Sequence, residues 1–284
     1  MRKYYSFAGV EFEINIPDEF AYTNERYLAP FTVTSVESPH CFHFEMVDDL
    51  TAPEGPCIAN EGGFRVYADG EDAIRYIGSV QQSWEQAYLR VCHHDCDHRV
   101  QLKRSRYTER VGVHTVLNCL SAEHLVARAG GFIFHSSYIE RNGEGILFTA
   151  PSGTGKSTQA DLWAKLRGAR ILNGDRSAVR VMPSGIQVCG IPFAGSSPFC
   201  ENVTLPLAAI VCLKQAPETT IRYLKGAEAF RKVWEGCSVN TWDREDMELV
   251  SAAVMAVAAR IPVFELACTP DESAVIALEG VLEA

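Results

Sequence analysis

The sequence predicts an α/β protein: a mixed-sheet core in its second part, preceded by a β-rich region over residues 1–110. Three observations carry this. A strand, a glycine-rich loop and a helix follow one another over residues 145–168. An Asn142-Gly143 turn sets an antiparallel strand directly before that strand, so the sheet is mixed. Short alternating segments divided by turn residues fill the first region.

In chain order, residues 10–16, 42–47 and 64–67 read as strands, half-buried where apolar and polar residues alternate. Turn signals at 60–63 and 69–72 separate them. Residues 88–91 and 99–102 read as strands flanking Cys92-His93-His94-Asp95-Cys96-Asp97-His98. That cluster holds possible zinc ligands, Cys92 and Cys96 among them. A lone Cys-x-x-x-Cys is weak, however, and a polar hairpin tip is the better reading. His40, His43, His114 and His124 stand alone and read as surface or core histidines. From Gly112 the rhythm turns helical through Val113, Val116, Leu117, Leu120, His124 and Leu125, and Gly130-Gly131 ends it. This places the start of a second domain, 111–284, near residue 110. Past the glycine-rich loop, residues 169–172, 208–213, 220–223 and 263–266 read as strands, with a hairpin around Pro183-Ser184-Gly185. Residues 227–234, 243–259 and 271–282 read as helices.

The loop commits the chain to a polyphosphate. Pro151, Ser152, Gly153, Thr154, Gly155, Lys156, Ser157 and Thr158 form the binding segment. Gly153 and Gly155 allow the backbone to turn several N–H groups toward one point, where the following helix adds its positive end. Lys156 supplies a charge for the β- and γ-phosphates, and the Ser157 hydroxyl is a natural magnesium ligand. Ala150 stands where the G-x-x-x-x-G-K-[ST] pattern has its first glycine. Beyond Lys156, Ala160, Trp163 and Leu166 can share a face, and Gly168 can stop the helix.

Asp175 falls at the end of the next strand, on the sheet edge where α/β proteins bind ligands. It could hold magnesium or take a proton from an attacking hydroxyl, and this role is favoured over an Asx-type turn or an ion pair with Arg176. Arg176 either stabilises phosphate charge or lies on the surface. His135, on the strand before the Asn-Gly turn, either reaches the phosphate site or belongs to the core. Residues 190–197 could close over a substrate or merely connect.

Composition narrows the class. The 284 residues are 47% hydrophobic and 22% charged, with a net charge of −10, which argues against nucleic acid or an anionic membrane as partner. No segment reaches the roughly 18 apolar residues of a membrane helix, and no leader segment is evident at the start. Ten irregularly spaced cysteines suit reduced thiols in the cytoplasm.

His135, the Asn-Gly hairpin, the phosphate loop and Asp175 together resemble the catalytic domain of HPr kinase/phosphorylase and, more broadly, the phosphoenolpyruvate-carboxykinase-like fold. The resemblance covers roughly residues 125–284, and includes the stretch from Gly190 through Gly195. It implies a phosphotransferase with ATP and Mg2+ as its cofactors. Lys156 would bind the β- and γ-phosphates, Ser157 the magnesium, Asp175 would be the hydroxyl-activating base or a metal partner, and His135 would match the family's active-site histidine. Four features depart from the family: Arg176 replaces its second acid, Ala150 replaces the usual phosphate-loop glycine, its C-terminal docking motif is not found, and its N-terminal region does not match. The expected activity is transfer of a γ-phosphoryl group to a hydroxyl, with Ser of a protein or peptide as acceptor. The alternatives are a small-molecule kinase and a nucleotide-binding regulator without turnover. A homo-oligomer is left open.

Overall fold

The structure, a computed structural model, describes all residues apart from 19–20, 24–26, 62, 71, 79, 81–82, 108–109 and 284. Gly62 and Glu71, within two of the expected turns, therefore lie outside the described residues. The chain divides into two units, Met1–Ser121 and Ala122–Ala284, so residues 111–121 fall in the first unit rather than opening the second.

The first unit contains β1 (Arg2–Phe7), β2 (Val10–Asn15), β3 (Ala21–Thr23), β4 (Thr32–Val33), β5 (His40–Val47) and β6 (Cys57–Glu61). It continues with β7 (Phe64–Asp69), β8 (Asp72–Gly78), β9 (Ala87–His94), β10 (Asp97–Lys103), β11 (Arg110–Gly112) and α1 (Val113–Cys119). One mixed sheet runs β4-β1-β2-β5-β10-β9-β8-β7-β6, and β3 pairs with β11 apart from it. Alternation explains the first strands. Phe12 and Ile14 of β2 are fully buried with Tyr5 of β1 and Phe42 of β5, and the Tyr5 and Phe12 rings stack at 5.1 Å. The β1–β2 turn places both Ala8 and Gly9 at positive φ, 48° and 77°. This matches the turn geometry that suits strand twist, although alanine gives no sign of it in sequence.

The second unit opens with α2 (Ala122–Arg128), β12 (Gly131–Arg141), β13 (Glu144–Thr149), α3 (Lys156–Arg167), β14 (Arg170–Asn173) and β15 (Arg176–Met182). It continues with β16 (Gly185–Gly190), β17 (Thr204–Gln215), β18 (Thr220–Leu224), α4 (Gly226–Trp234), β19 (Cys237–Ser238), α5 (Arg244–Arg260), β20 (Val263–Cys268) and α6 (Glu272–Leu282). Its sheet runs β13-β12-β15-β16-β17-β20-β18, and β13 also pairs with β17 in parallel. The expected antiparallel β12–β13 pair is present, turned by Asn142 and Gly143 at φ 55° and 80°. The long strand β12 is shared lengthwise: its first half pairs with β15 and β19, its second with β13 and β14.

Helices cover this sheet from two sides. Val233 of α4 and Val250, Val254 and Val257 of α5 join Phe132 and Phe134 in one buried cluster. Ala160 and Trp163 of α3 and Ala274, Val275 and Leu278 of α6 join Phe148 and Leu266 in another. The helical run expected from Val113 to Leu125 is broken in two. Ser121 takes φ 49°, a conformation a helix cannot hold, and this residue ends the first unit.

Candidate functional site

Strand β13 delivers the glycine loop and α3 leaves it, as the apolar run and the later periodicity predict. Gly153 and Gly155 take φ of 77° and 118°, which non-glycine residues avoid. Gly155 is the N-cap of α3, so no side chain caps the first amides of the helix. Gly168 at φ 67° stops the helix, with its N–H on the Ala164 carbonyl. Ala150, at the position of the missing glycine, is absent from the positive-φ residues. Its carbonyl accepts a hydrogen bond from Lys156 Nζ at 3.0 Å. Lys156 is buried, and that burial lowers its pKa, with Asp175 acting in the opposite sense.

Strand β14 ends at Asn173, whose side chain sequence reasoning passed over. Fully buried, its Oδ1 accepts from the N–H groups of Asp175 and Arg176 at 3.0 and 3.1 Å. Its Nδ2 donates to the Ile191 carbonyl at 3.0 Å. The Asx-type turn considered for Asp175 is thus made by Asn173, and it leaves the Asp175 carboxylate free to project. The signal was an asparagine two residues before the acid.

The carboxylate faces an imidazole and a guanidinium. Asp175 Oδ1 lies 3.6 Å from His135 Nε2, and Oδ2 lies 3.5 Å from Arg176 Nε. Burial lowers the His135 pKa; Lys156 and Arg176 act in the same direction and Asp175 opposes them. Arg176 also reaches Glu123 Oε1 at 3.9 Å and donates to Ser238 Oγ at 3.5 Å. Neither Glu123 nor Ser238 carried a sequence signal, since both come from distant segments.

A cavity of about 600 Å3 opens between the Asp175 carboxylate and the glycine loop. His135, Lys156, Ser157, Asp161 and Asp175 line it, with Ser152, Gly153, Gly155 and Thr158 of the loop. Its far wall is Ala194 to Phe199, the stretch read as a closing loop or a connection. That wall packs tightly against the acid: Gly195 sits at φ 55°, and a Cβ there would lie 3.1 Å from Asp175 Oδ2. Gly174 is required as well, because a Cβ there would collide with Ser197 Oγ. Thr154 turns to a second cavity of about 540 Å3 on the other flank of the loop, lined also by Gln159, Gln215 and Cys268. Pro151 accepts at its carbonyl from the Thr154 N–H, closing the loop. Among the predicted residues, only Arg176 and Pro151 do not line either cavity.

The Cys92–His98 segment is a hairpin between β9 and β10, with Asp95 at φ 44°. Alternation spreads its side chains over two faces. Cys92 packs against the Tyr76 cluster, His94 pairs with Asp72 at 2.8 Å, and Cys96 is exposed. His93 and His98 meet at 3.1 Å, and His98 meets His40 at 3.1 Å. His40 and His43 are therefore not isolated, the latter lying 3.4 Å from Asp97. No helix among the described residues is long and apolar enough to cross a membrane.

Comparison with known proteins places the chain. The family model described as "SynChlorMet cassette protein ScmC" matches residues 100–274. The chain belongs to this family. No curated protein matches it. Among solved structures, this ScmC-family chain is similar to the Hpr(Ser) kinase/phosphatase from Coxiella burnetii. Identity is 10%, the TM-score is 0.33, and the match covers 53% of this chain and 88% of the other. The likeness is distant and partial.

Proposed function

We propose that this chain is a Mg2+-dependent, ATP-using kinase that transfers the γ-phosphoryl group to a hydroxyl, with Ser of a protein or peptide as acceptor. One observation carries the reading. A buried lysine, the uncapped start of a helix and a projecting carboxylate face a single cavity. Phosphoryl transfer asks for positioning and charge neutralisation, and these groups supply both.

The helix amides and Lys156 would hold the phosphate chain. Asp175 would accept the proton of the acceptor hydroxyl as its oxygen bonds to the γ-phosphorus and the bond to the β,γ-bridging oxygen breaks. His135, 3.6 Å from Asp175, would orient that carboxylate. The hydroxyl of Ser157 and the carboxylate of Asp175 are hard oxygen donors that fit Mg2+, and they would hold it to offset charge on the phosphates. Wall residues Ala194 to Phe199 would set the acceptor's approach. Labelled ATP supplied with a serine-containing peptide library is the test. Transfer that disappears in Asp175→Asn supports the reading, and release of free phosphate alone overturns it.

Arg176 favours a second reading, a nucleotide-binding regulator without turnover. Its guanidinium lies 3.5 Å from Asp175 Oδ2, competing there with any metal. In that case nucleotide raises Tm equally in the native chain and in Asp175→Asn, and neither transfers phosphate.

A further inference from the structure

We propose that His124, Asp243 and Asp246 form a binding site for a divalent transition-metal ion, sharing no residue with the cavity around Lys156. One atom from each of the three lies within 4.8 Å of the others. Among the described residues this is the only such grouping of histidine, cysteine and acidic side chains.

Both carboxylates face the histidine, and one oxygen of each is also held by a neighbouring donor. Asp243 is the N-cap of α5, and its Oδ1 accepts from the Glu245 and Asp246 amides at 2.9 and 3.1 Å. Its Oδ2 lies 3.8 Å from His124 Nδ1. Asp246 Oδ2 accepts from Asn240 Nδ2 at 2.8 Å and from His124 Nδ1 at 3.1 Å. The other oxygen, Oδ1, is buried without a hydrogen-bond partner, 2.9 Å from His124 Nδ1. The Asp246 side chain is 1% exposed. Two carboxylates this close, one of them buried, are costly unless a positive group stands between them, and the Nδ1 edge of His124 holds the place that an ion would take. An ion at the meeting point would satisfy all three atoms. Asn240 and the helix amides already fix the carboxylates as outer partners fix metal ligands. One imidazole nitrogen and two carboxylate oxygens suit Zn2+, Mn2+ or Co2+.

Arg128 gates the site. Its Nε donates to His124 Nε2 at 2.9 Å, so that nitrogen holds the lone pair and Nδ1 the proton. A metal on Nδ1 needs the opposite tautomer, with the proton on Nε2, where it would oppose the Arg128 donor. Arg128 then withdraws to Glu245, which it already grips with both Nη atoms at 2.9 and 2.8 Å. The ion would clamp α2 to the start of α5. Its neighbours bear on the cavity: Glu123 precedes His124 and faces Arg176, and Ser238 accepts from Arg176 just before Asn240.

The experiment uses the full chain carrying Asp175→Asn, stripped with chelator and titrated with Co2+ while its visible absorption is followed, then with Zn2+ in competition. We expect one ion per chain. His124→Gln and Asp243→Ser should each weaken binding about tenfold or more. The serine keeps the helix cap, so unfolding does not confuse that result. Arg128→Gln should tighten binding several-fold by freeing the imidazole. Absence of binding at millimolar Co2+ and Zn2+, or affinity unchanged in both His124→Gln and Asp243→Ser, overturns the proposal.

Discussion

At the scale of single residues, the site is a matter of which oxygen or nitrogen is left over. Lys156 spends a hydrogen bond on the Ala150 carbonyl and stays buried beside the loop. Replacing it by alanine should weaken ATP binding by about 10- to 100-fold, the span of a lost charge-assisted hydrogen bond, measurable by calorimetry. His135 gives a pH signature. Its folded pKa lies below the ordinary histidine value, so the unfolded chain takes up the proton first. Its contribution to stability is thus fully present above the ordinary value of about 6.5, and declines as pH falls toward the folded pKa. Native protein should lose more urea resistance between neutral and mildly acid pH than His135→Gln does; equal losses would deny the shift. Lys156, Asp175 and His135 were legible because the loop motif, a strand end and a strand register each mark a position. Asn173, Glu123 and Ser238 were not, since their roles exist only once distant segments meet.

At the scale of elements, local chemistry decided most of the second unit. The Asn142-Gly143 turn, the Gly168 stop and the Asp243 and Asp271 caps all fall where their residue types direct them. The helical run after Gly112 misled because its periodicity continues through a residue that breaks it; Ser121 at φ 49° has no signature of its own. The split of β12 between partners was also hidden, since pairing along a strand depends on the sheet around it. Trp163 tests the packing of α3. It is wholly buried between that helix, α6 and the sheet, with the Arg141 guanidinium 5.3 Å above its ring. Trp163→Ala should cost about 3–5 kcal/mol in chemical denaturation, because the hole left cannot collapse.

At the scale of the whole molecule, ten cysteines are all free, and four of them are buried. Burial holds Cys212 up to about 12 and pushes Cys237 and Cys119 up as well, so these thiols stay protonated and unreactive. Titration with a thiol reagent should modify exposed Cys57 and Cys96 rapidly and the buried ones only on unfolding, and reductant should not move Tm. With every cysteine free, the packed clusters and strand ladders stabilise the mixed α/β fold without a covalent cross-link. With glycine at its cap, the first turn of α3 is incomplete without a guest. An anion settling there would finish the helix, so occupancy and local order become one quantity. Amide exchange in that turn should slow when polyphosphate is added, while the far end of the same helix, closed by Gly168, stays unchanged.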